Sequence, residues 1–178
     1  GIQGVKFLDD AGFFNDDMQS AVKNSLHVKK DLIRTGSIFS LKKCVWEPTQ
    51  KMTWLGFVWD STDGSLAAAP HRIEKIIATS QSLLARVSCP VRDLAGFVGM
   101  IVSLIPVVGN CSRVTTKQSQ ICVASAVSWD DVIHLSPEVK REILFWKDNV
   151  TTLNYRLVAD KGPPSVVNVI EGDASSTG

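Results

Sequence analysis

The sequence predicts an α+β protein in which short antiparallel strands come first and helices follow. Two apolar runs flank an acidic turn near the amino terminus, a pattern typical of a β-hairpin. From about residue 71 onward, apolar side chains recur at helical spacing instead. With 178 residues, the chain is long enough to bury a core as one domain or as two small ones.

The acidic turn carries Asp9 and Asp10, between an apolar run at residues 5–8 and the pair Phe13 and Phe14. A hard divalent cation such as Mg²⁺ takes one or two protein carboxylates and completes its ligands from phosphates and water. The adjacent carboxylates therefore suggest metal-assisted phosphoryl or nucleotidyl transfer. The alternative is a solvated turn that binds no metal.

A helix is predicted over residues 15–34. Asn15 and Asp16 are suitable caps, basic residues follow late in the helix, and Gly36 is a stop signal. We expect an apolar stripe to pack beneath the sheet. The stripe comprises Met18, Ala21, Val22, Leu26, Leu32 and Ile33.

Two further strands are predicted, at residues 38–45 and 52–59, around a turn at residues 47–50. Gly56 would provide a bulge or a close backbone approach. The polar segment 61–70 ends in a proline and is predicted to be a connector between subdomains.

Helices are predicted over residues 71–87, from residue 90 onward, over 111–126 and over 136–149. Ser136 caps the last of these, with Pro137 at its first position. Gly96 and Gly99 would permit a close helix contact or the approach of a ligand. A stiff linker at 161–164 then precedes a strand at 166–170 and Asp173. Residues 171–178 alone could equally be a terminal tail.

The composition is that of an ordinary globular protein, with 44% hydrophobic and 21% charged residues. No stretch reaches the roughly 18 uninterrupted apolar residues of a membrane helix, so no membrane partner is expected. The chain lacks a signal-peptide pattern and starts with Gly1, which suggests that it opens inside a longer protein.

The cysteines and histidines do not follow a metal-ligand spacing, and scattered thiols suit an intracellular setting, with cytoplasm and nucleus not distinguished. They are Cys44, Cys89, Cys111, Cys122, His27, His71 and His134.

Basic residues cluster in two segments, although the net charge is only +1. Such clusters suit the phosphate backbone of a nucleic acid, whereas the alternative is a solvated helix face. The first cluster comprises Lys23, Lys29, Lys30, Arg34, Lys42 and Lys43, and the second comprises Arg72, Lys75, Arg86 and Arg92.

Three motifs in order resemble the reverse transcriptases. Phe7-Leu8-Asp9-Asp10 resembles the Tyr-x-Asp-Asp box, with Phe in place of Tyr. Gly36 with the extended, Lys-bearing run that follows is similar to the fourth palm motif. Residues 52–60, Met-Thr-Trp-Leu-Gly-Phe-Val-Trp-Asp, resemble the primer grip. The resemblance is closest to the DIRS-like, tyrosine-recombinase group of retrotransposons.

The later helices are similar to the thumb of that group, in Arg-Asp-Leu-Ala-x-x-x-Gly from Arg92 and in Leu-Ser-x-Glu from Leu135 with Phe145-Trp146. The strand before Asp173 resembles the start of a ribonuclease H domain. The resemblance implies a palm part with the primer grip at 1–62, a helical thumb or connection at 71–150, and a linker with the first ribonuclease H strand at 151–178.

The resemblance also implies roles for individual residues. Asp9 would be the principal ligand of Mg²⁺ or Mn²⁺, and Asp10 its partner. Lys43, and less directly Lys42, would face the incoming phosphates. The primer grip would comprise Trp54, Leu55 and Gly56, and Asp173 would be the first metal-binding acid of the ribonuclease H site.

The expected function is that of an RNA-directed DNA polymerase fragment that binds an RNA or DNA template–primer duplex and deoxynucleotide triphosphates. The upstream palm Asp of the family is missing, so the fragment is expected to be inactive alone. One alternative is a domesticated or decayed remnant that binds nucleic acid or protein without catalysis. Another is an unrelated α+β domain with a chance Asp-Asp turn.

Overall fold

The computed structural model describes residues 3–7, 10–37 and 44–158. Its first two strands, β1 (Gln3–Phe7) and β2 (Asp10–Phe14), form an antiparallel hairpin. Gln3 pairs with Phe14 and Phe7 pairs with Asp10, so Asp10 belongs to the last pair at the connected end of the hairpin. The predicted hairpin is confirmed.

Helix α1 (Met18–Arg34) begins later than predicted because its cap is Asp17 rather than Asn15 or Asp16. The Asp17 carboxylate accepts a hydrogen bond of 2.8 Å from the Ser20 backbone N–H, as an N-cap should. Asn15 instead accepts a hydrogen bond from the Asn24 side chain. The predicted glycine stop is confirmed: Gly36 has a φ of 74°, a left-handed conformation that glycine adopts easily.

The region predicted as one strand at 52–59 forms two, β3 (Lys51–Trp54) and β4 (Phe57–Asp60), joined by Leu55 and Gly56. The predicted connector contains a third strand, β5 (Ser65–Ala68). The sequence signal for β5 was weak because Ser-Leu-Ala-Ala contains no β-branched or aromatic residue.

The predicted helices are present with shifted ends, and the one expected at 111–126 is divided in two. In order, the remaining elements are α2 (Pro70–Leu84), β6 (Ser88–Pro90), α3 (Val91–Val102), α4 (Ile105–Val108), α5 (Cys111–Val114), α6 (Lys117–Ala124), β7 (Val132–His134), α7 (Pro137–Leu153) and β8 (Arg156–Leu157). Three short strands, β6, β7 and β8, were not predicted.

The second sheet has the strand order β3-β4-β5-β8, so the chain returns to it after the helices. Asn154, at the end of α7, extends this pairing with its side-chain amide. Its oxygen accepts from the Ala68 N–H at 2.6 Å and its nitrogen donates to the Ala68 carbonyl at 3.0 Å. β6 pairs with β7 in a separate antiparallel ribbon.

The hydrophobic core is continuous from the β4–β5 strands to α7. Phe57 and Leu66 of the sheet belong to it together with residues of α2, α3 and α7, and α2 packs against both of the other two helices. The largest fully buried core side chains include Trp146, Phe97, Ile76, Leu83, Leu94, Ile101 and Ile143. The domain division at residues 62–71 stays a prediction.

Some predicted elements lie outside the described residues, namely most of the strand at 38–45 and everything predicted beyond residue 158. Cys44 and Val45, which are described, are not in a strand. In the described ranges, no helix is both long and apolar enough to cross a membrane.

Candidate nucleic-acid interface

The predicted site residues fall into two groups. Asp9, Lys42, Lys43 and Asp173 lie outside the described residues. Asp10 is the first residue of β2, and the structure describes its backbone. The three predicted primer-grip residues, in contrast, are all described, and they form the end of β3 and the turn that follows.

Leu55 and Gly56 make a two-residue turn in an unusual backbone conformation. Their φ angles are 52° and 76°, and positive φ at both central positions is the signature of a type I′ hairpin turn. Gly56 adopts such an angle freely. Leu55 does so at a cost of about 1–2 kcal/mol, and Asn or Asp is the usual residue at its position. The Leu55 side chain is 38% exposed.

Trp54 joins this turn to the hairpin that carries the acidic pair. A Cβ added at Gly12 would lie 3.8 Å from Trp54 Cε2, so the indole packs directly on the β2 backbone. Gly12 is buried there and follows Asp10 by two residues, which is about 7 Å along a strand. The structure therefore brings the backbone of Asp10 and the predicted primer grip to one place.

Arg72, in the first turn of α2, also contacts this turn. Its Nη1 donates to the Gly56 carbonyl at 3.4 Å, and that carbonyl also accepts from the Ala69 N–H at 3.0 Å. The guanidinium carbon lies 4.7 Å from the centre of the Phe57 ring. Partial burial lowers the pKa of Arg72. From the sequence, Arg72 was predicted only as part of a basic cluster, because no pattern links it to a turn sixteen residues upstream.

A groove with a volume of about 530 Å³ lies between α2 and α3 and contains three of the predicted basic residues. Arg86 pairs with Asp93 at 2.9 Å, and Arg92 pairs with Asp130. No ion pair joins Lys75 to any residue within the described ranges.

Gly96 forms part of the floor of this groove. The close helix contact predicted for Gly96 and Gly99 is wrong within the described chain: a Cβ added at either residue would meet no atom within 4 Å. Both glycines are exposed, and the other predicted possibility, approach of a ligand, stays open.

The basic residues of α1 are partly engaged within the chain. The Lys29 ammonium lies 5.4 Å from the centre of the Trp46 ring, and Arg34 pairs with Asp31 at 3.8 Å. Lys23 and Lys30 are exposed. Their predicted contact with a phosphate backbone stays a prediction.

Among the side chains that the structure describes, no three or more His, Cys, Asp or Glu residues are grouped so that they could hold a metal ion. The predicted Mg²⁺ or Mn²⁺ site at Asp9 and Asp10 stays a prediction.

No protein-family model matches the chain, and no curated protein matches it. Among solved structures, a foamy viral protease-reverse transcriptase in complex with double-stranded DNA is similar, with a TM-score of 0.63 and 20% sequence identity. The similarity covers 85% of this chain. This chain has a reverse transcriptase-like fold. It spans 24% of the length of the viral chain. The narrower assignment to the DIRS-like group stays a prediction.

Proposed function

We propose that the chain is the palm-and-thumb part of an RNA-directed DNA polymerase and holds the 3′ end of a primer beside the acidic pair Asp9 and Asp10. In this proposal the Leu55–Gly56 turn is the primer grip. The DNA or RNA template–primer duplex runs past the groove between α2 and α3. The DIRS-like retrotransposons are the proposed source of the parent polymerase.

The observation that carries the proposal is the packing of Trp54 on Gly12. Nucleotidyl transfer requires the primer 3′-hydroxyl to be held close to the metal-binding carboxylates, since positioning supplies much of the rate acceleration. Two hairpins that are separated by helix α1 in the sequence are joined at this contact. A turn that grips the primer would therefore lie next to the acidic turn.

The strain at Leu55 supports a role for its side chain. A backbone outlier at a turn is evidence for function when a better residue for that conformation is available. Asn would fit the turn with less strain, yet the chain has a partly exposed leucine. We propose that Leu55 contacts the sugar face of the primer strand.

The groove between α2 and α3 suits a phosphate backbone. Lys75 has no anionic partner within the described ranges, and the exposed backbone at Gly96 leaves room for close approach. Contacts of this kind bind nucleic acid regardless of sequence and weaken steeply with salt.

The proposed metal is Mg²⁺ or Mn²⁺, with Asp9 and Asp10 as ligands. When bound, such a metal would stabilise developing charge on the reacting oxygens of a deoxynucleotide triphosphate. Lys43 and Lys42 would bind the triphosphate, and Asp173 would begin a second site in a ribonuclease H domain. The proposal also holds that residues 1–178 are inactive without the upstream palm Asp of the family.

The test compares two DNA ligands of equal length, one blunt and one with a recessed 3′ end. We expect the chain to bind both in a salt-dependent way and to prefer the recessed end. Leu55→Asn relieves turn strain and removes the apolar side chain, so it should keep or raise stability while lowering that preference. Lys75→Ala should instead lower the affinity for both DNA ligands by the same factor and reduce the salt dependence of binding.

Equal binding of the two ligands by the wild-type chain would contradict the proposed primer grip. If that binding remained sensitive to salt and to Lys75→Ala, the result would favour the second candidate function, a non-catalytic nucleic-acid-binding module. The exposed Lys23 and Lys30 on α1 are the observation that favours this candidate.

A further inference from the structure

We infer that Arg72 is a positioning residue that fixes the Leu55–Gly56 turn to the helical part of the chain and so sets where a primer end is held. This inference rests on the proposed function. It assigns to Arg72 a task different from that of the other basic residues of α2 and α3, which lie in the groove.

Arg72, on α2, makes side-chain hydrogen bonds with two other parts of the chain. Its Nη1 reaches the Gly56 carbonyl in the turn, and its Nη2 donates to Ser103 Oγ just after α3. Ser103 is itself oriented, because its hydroxyl donates to the Met100 carbonyl at 2.6 Å. One side chain on α2 therefore joins the β3–β4 turn to the end of α3.

The guanidinium also packs against the hydrophobic core. It lies 4.7 Å from the centre of the Phe57 ring, and Phe57 is 8% exposed. A planar cation stacks on an aromatic face, whereas an ammonium at the same place is a point charge that cannot make the same two-pronged contact. The geometry is thus specific for arginine rather than for positive charge.

The Arg72 side chain fills the space beside Gly56 in the turn. A Cβ added at Gly56 would lie 3.1 Å from both Arg72 Cδ and Nη1. The turn therefore lies directly against the arginine side chain, and a shift of either one displaces the other. Since Trp54 of the same hairpin packs on Gly12, Arg72 would set the distance of the turn from the acidic hairpin.

The experiment uses the full chain and the recessed and blunt DNA ligands. Arg72→Ala is expected to reduce the ratio of the two affinities by about tenfold, which corresponds to roughly 1.4 kcal/mol, while affinity for the blunt duplex changes little. Arg72→Lys keeps the positive charge and should retain only part of the wild-type ratio of affinities for the recessed and blunt ligands. Arg113→Ala is the matched control, because it removes an exposed arginine on α5 and should leave the ratio unchanged.

The outcomes are distinguishable. If the wild-type chain prefers the recessed end and Arg72→Ala or Arg72→Lys retains the full preference, the inference is overturned and the proposed function stands. If the wild-type chain shows no preference, both are overturned. Should Arg72→Ala fail to fold by circular dichroism, Arg72→Lys and Ser103→Ala decide, since each removes only part of the contact set. An undiminished ratio in both of these variants would overturn the inference.

Discussion

Helices α1 and α7 have the same length, seventeen residues, and both begin with a side-chain cap, yet they are buried very differently. α7 buries Val139, Ile143, Trp146 and Val150 against the rest of the core, whereas α1 has no buried residue. The comparison shows that an apolar stripe predicts a helix without predicting what covers it.

The partly buried residues of α1 follow its apolar stripe only in part, because Ala21 and Leu32 are half-buried and the other four stripe residues are exposed. Asn24, Ser25 and Lys29 are half-buried, and the Ser25 hydroxyl donates to the Trp46 carbonyl at 2.5 Å. Met18 and Leu26 of the expected stripe are instead 61% and 55% exposed. Within the described chain, four of the six stripe residues therefore do not pack beneath a sheet as expected. The outward face is apolar, and no described residue buries it.

The largest expected difference is in the effect of core truncation. Ile143→Ala should lower the free energy of unfolding by about 2–5 kcal/mol, because Ile143 is fully buried. Leu26→Ala on α1 should change it by no more than about 0.5 kcal/mol. Urea unfolding of both variants measures this. An equal loss in the free energy of unfolding for the two variants would mean that the apolar face of α1 is covered in solution.

A smaller loss of stability is expected from breaking the hydrogen bonds between α7 and the start of α6. Both Glu142 carboxylate oxygens accept hydrogen bonds, at 2.8 Å from the Gln118 N–H and at 2.8 and 2.6 Å from the N–H and hydroxyl of Ser119. Glu142→Gln replaces one acceptor oxygen with a donor. We expect a loss of about 1–3 kcal/mol in urea unfolding. Gln118→Ala is the control, since it keeps the backbone N–H and should change stability little.

The smallest effect concerns pH and the start of α1. The hydrogen bond from the Ser20 N–H holds the pKa of Asp17 below its usual value of 3.8. The cap therefore contributes stability above that pH and loses it as pH falls through the lowered pKa. The Ser20 amide resonance should report fraying below about pH 3.8. Asp17→Ser keeps an acceptor without a titrating group, and its Ser20 amide should not respond in this range.

The sequence was most informative where local chemistry alone determines the structure. Ser136 and Pro137 mark the start of α7, and the Ser136 hydroxyl accepts from the Val139 N–H at 3.3 Å as expected of a cap. The acidic hairpin was likewise predicted from its flanking apolar runs.

Features that depend on distant parts of the chain were missed. The β6–β7 ribbon pairs Cys89 with Ile133, and nothing in either short segment indicates its partner. The Leu55–Gly56 turn was missed because leucine is not a turn-forming residue. The contact of Arg72 with Gly56 depends on how α2 packs against the sheet, which the local pattern does not determine.

The central claim is that the primer-grip turn lies beside a metal-binding acidic pair, and Mn²⁺ titration with a recessed primer–template tests it most directly. Because Trp54 packs on Gly12, bound Mn²⁺ should broaden the indole N–H resonance of Trp54, and with it that of Trp59, whose ring centre lies 6.2 Å from that of Trp54. Asp9→Asn and Asp10→Asn should each weaken the broadening. Broadening that is absent in the wild-type chain, or that neither variant reduces, would contradict the account.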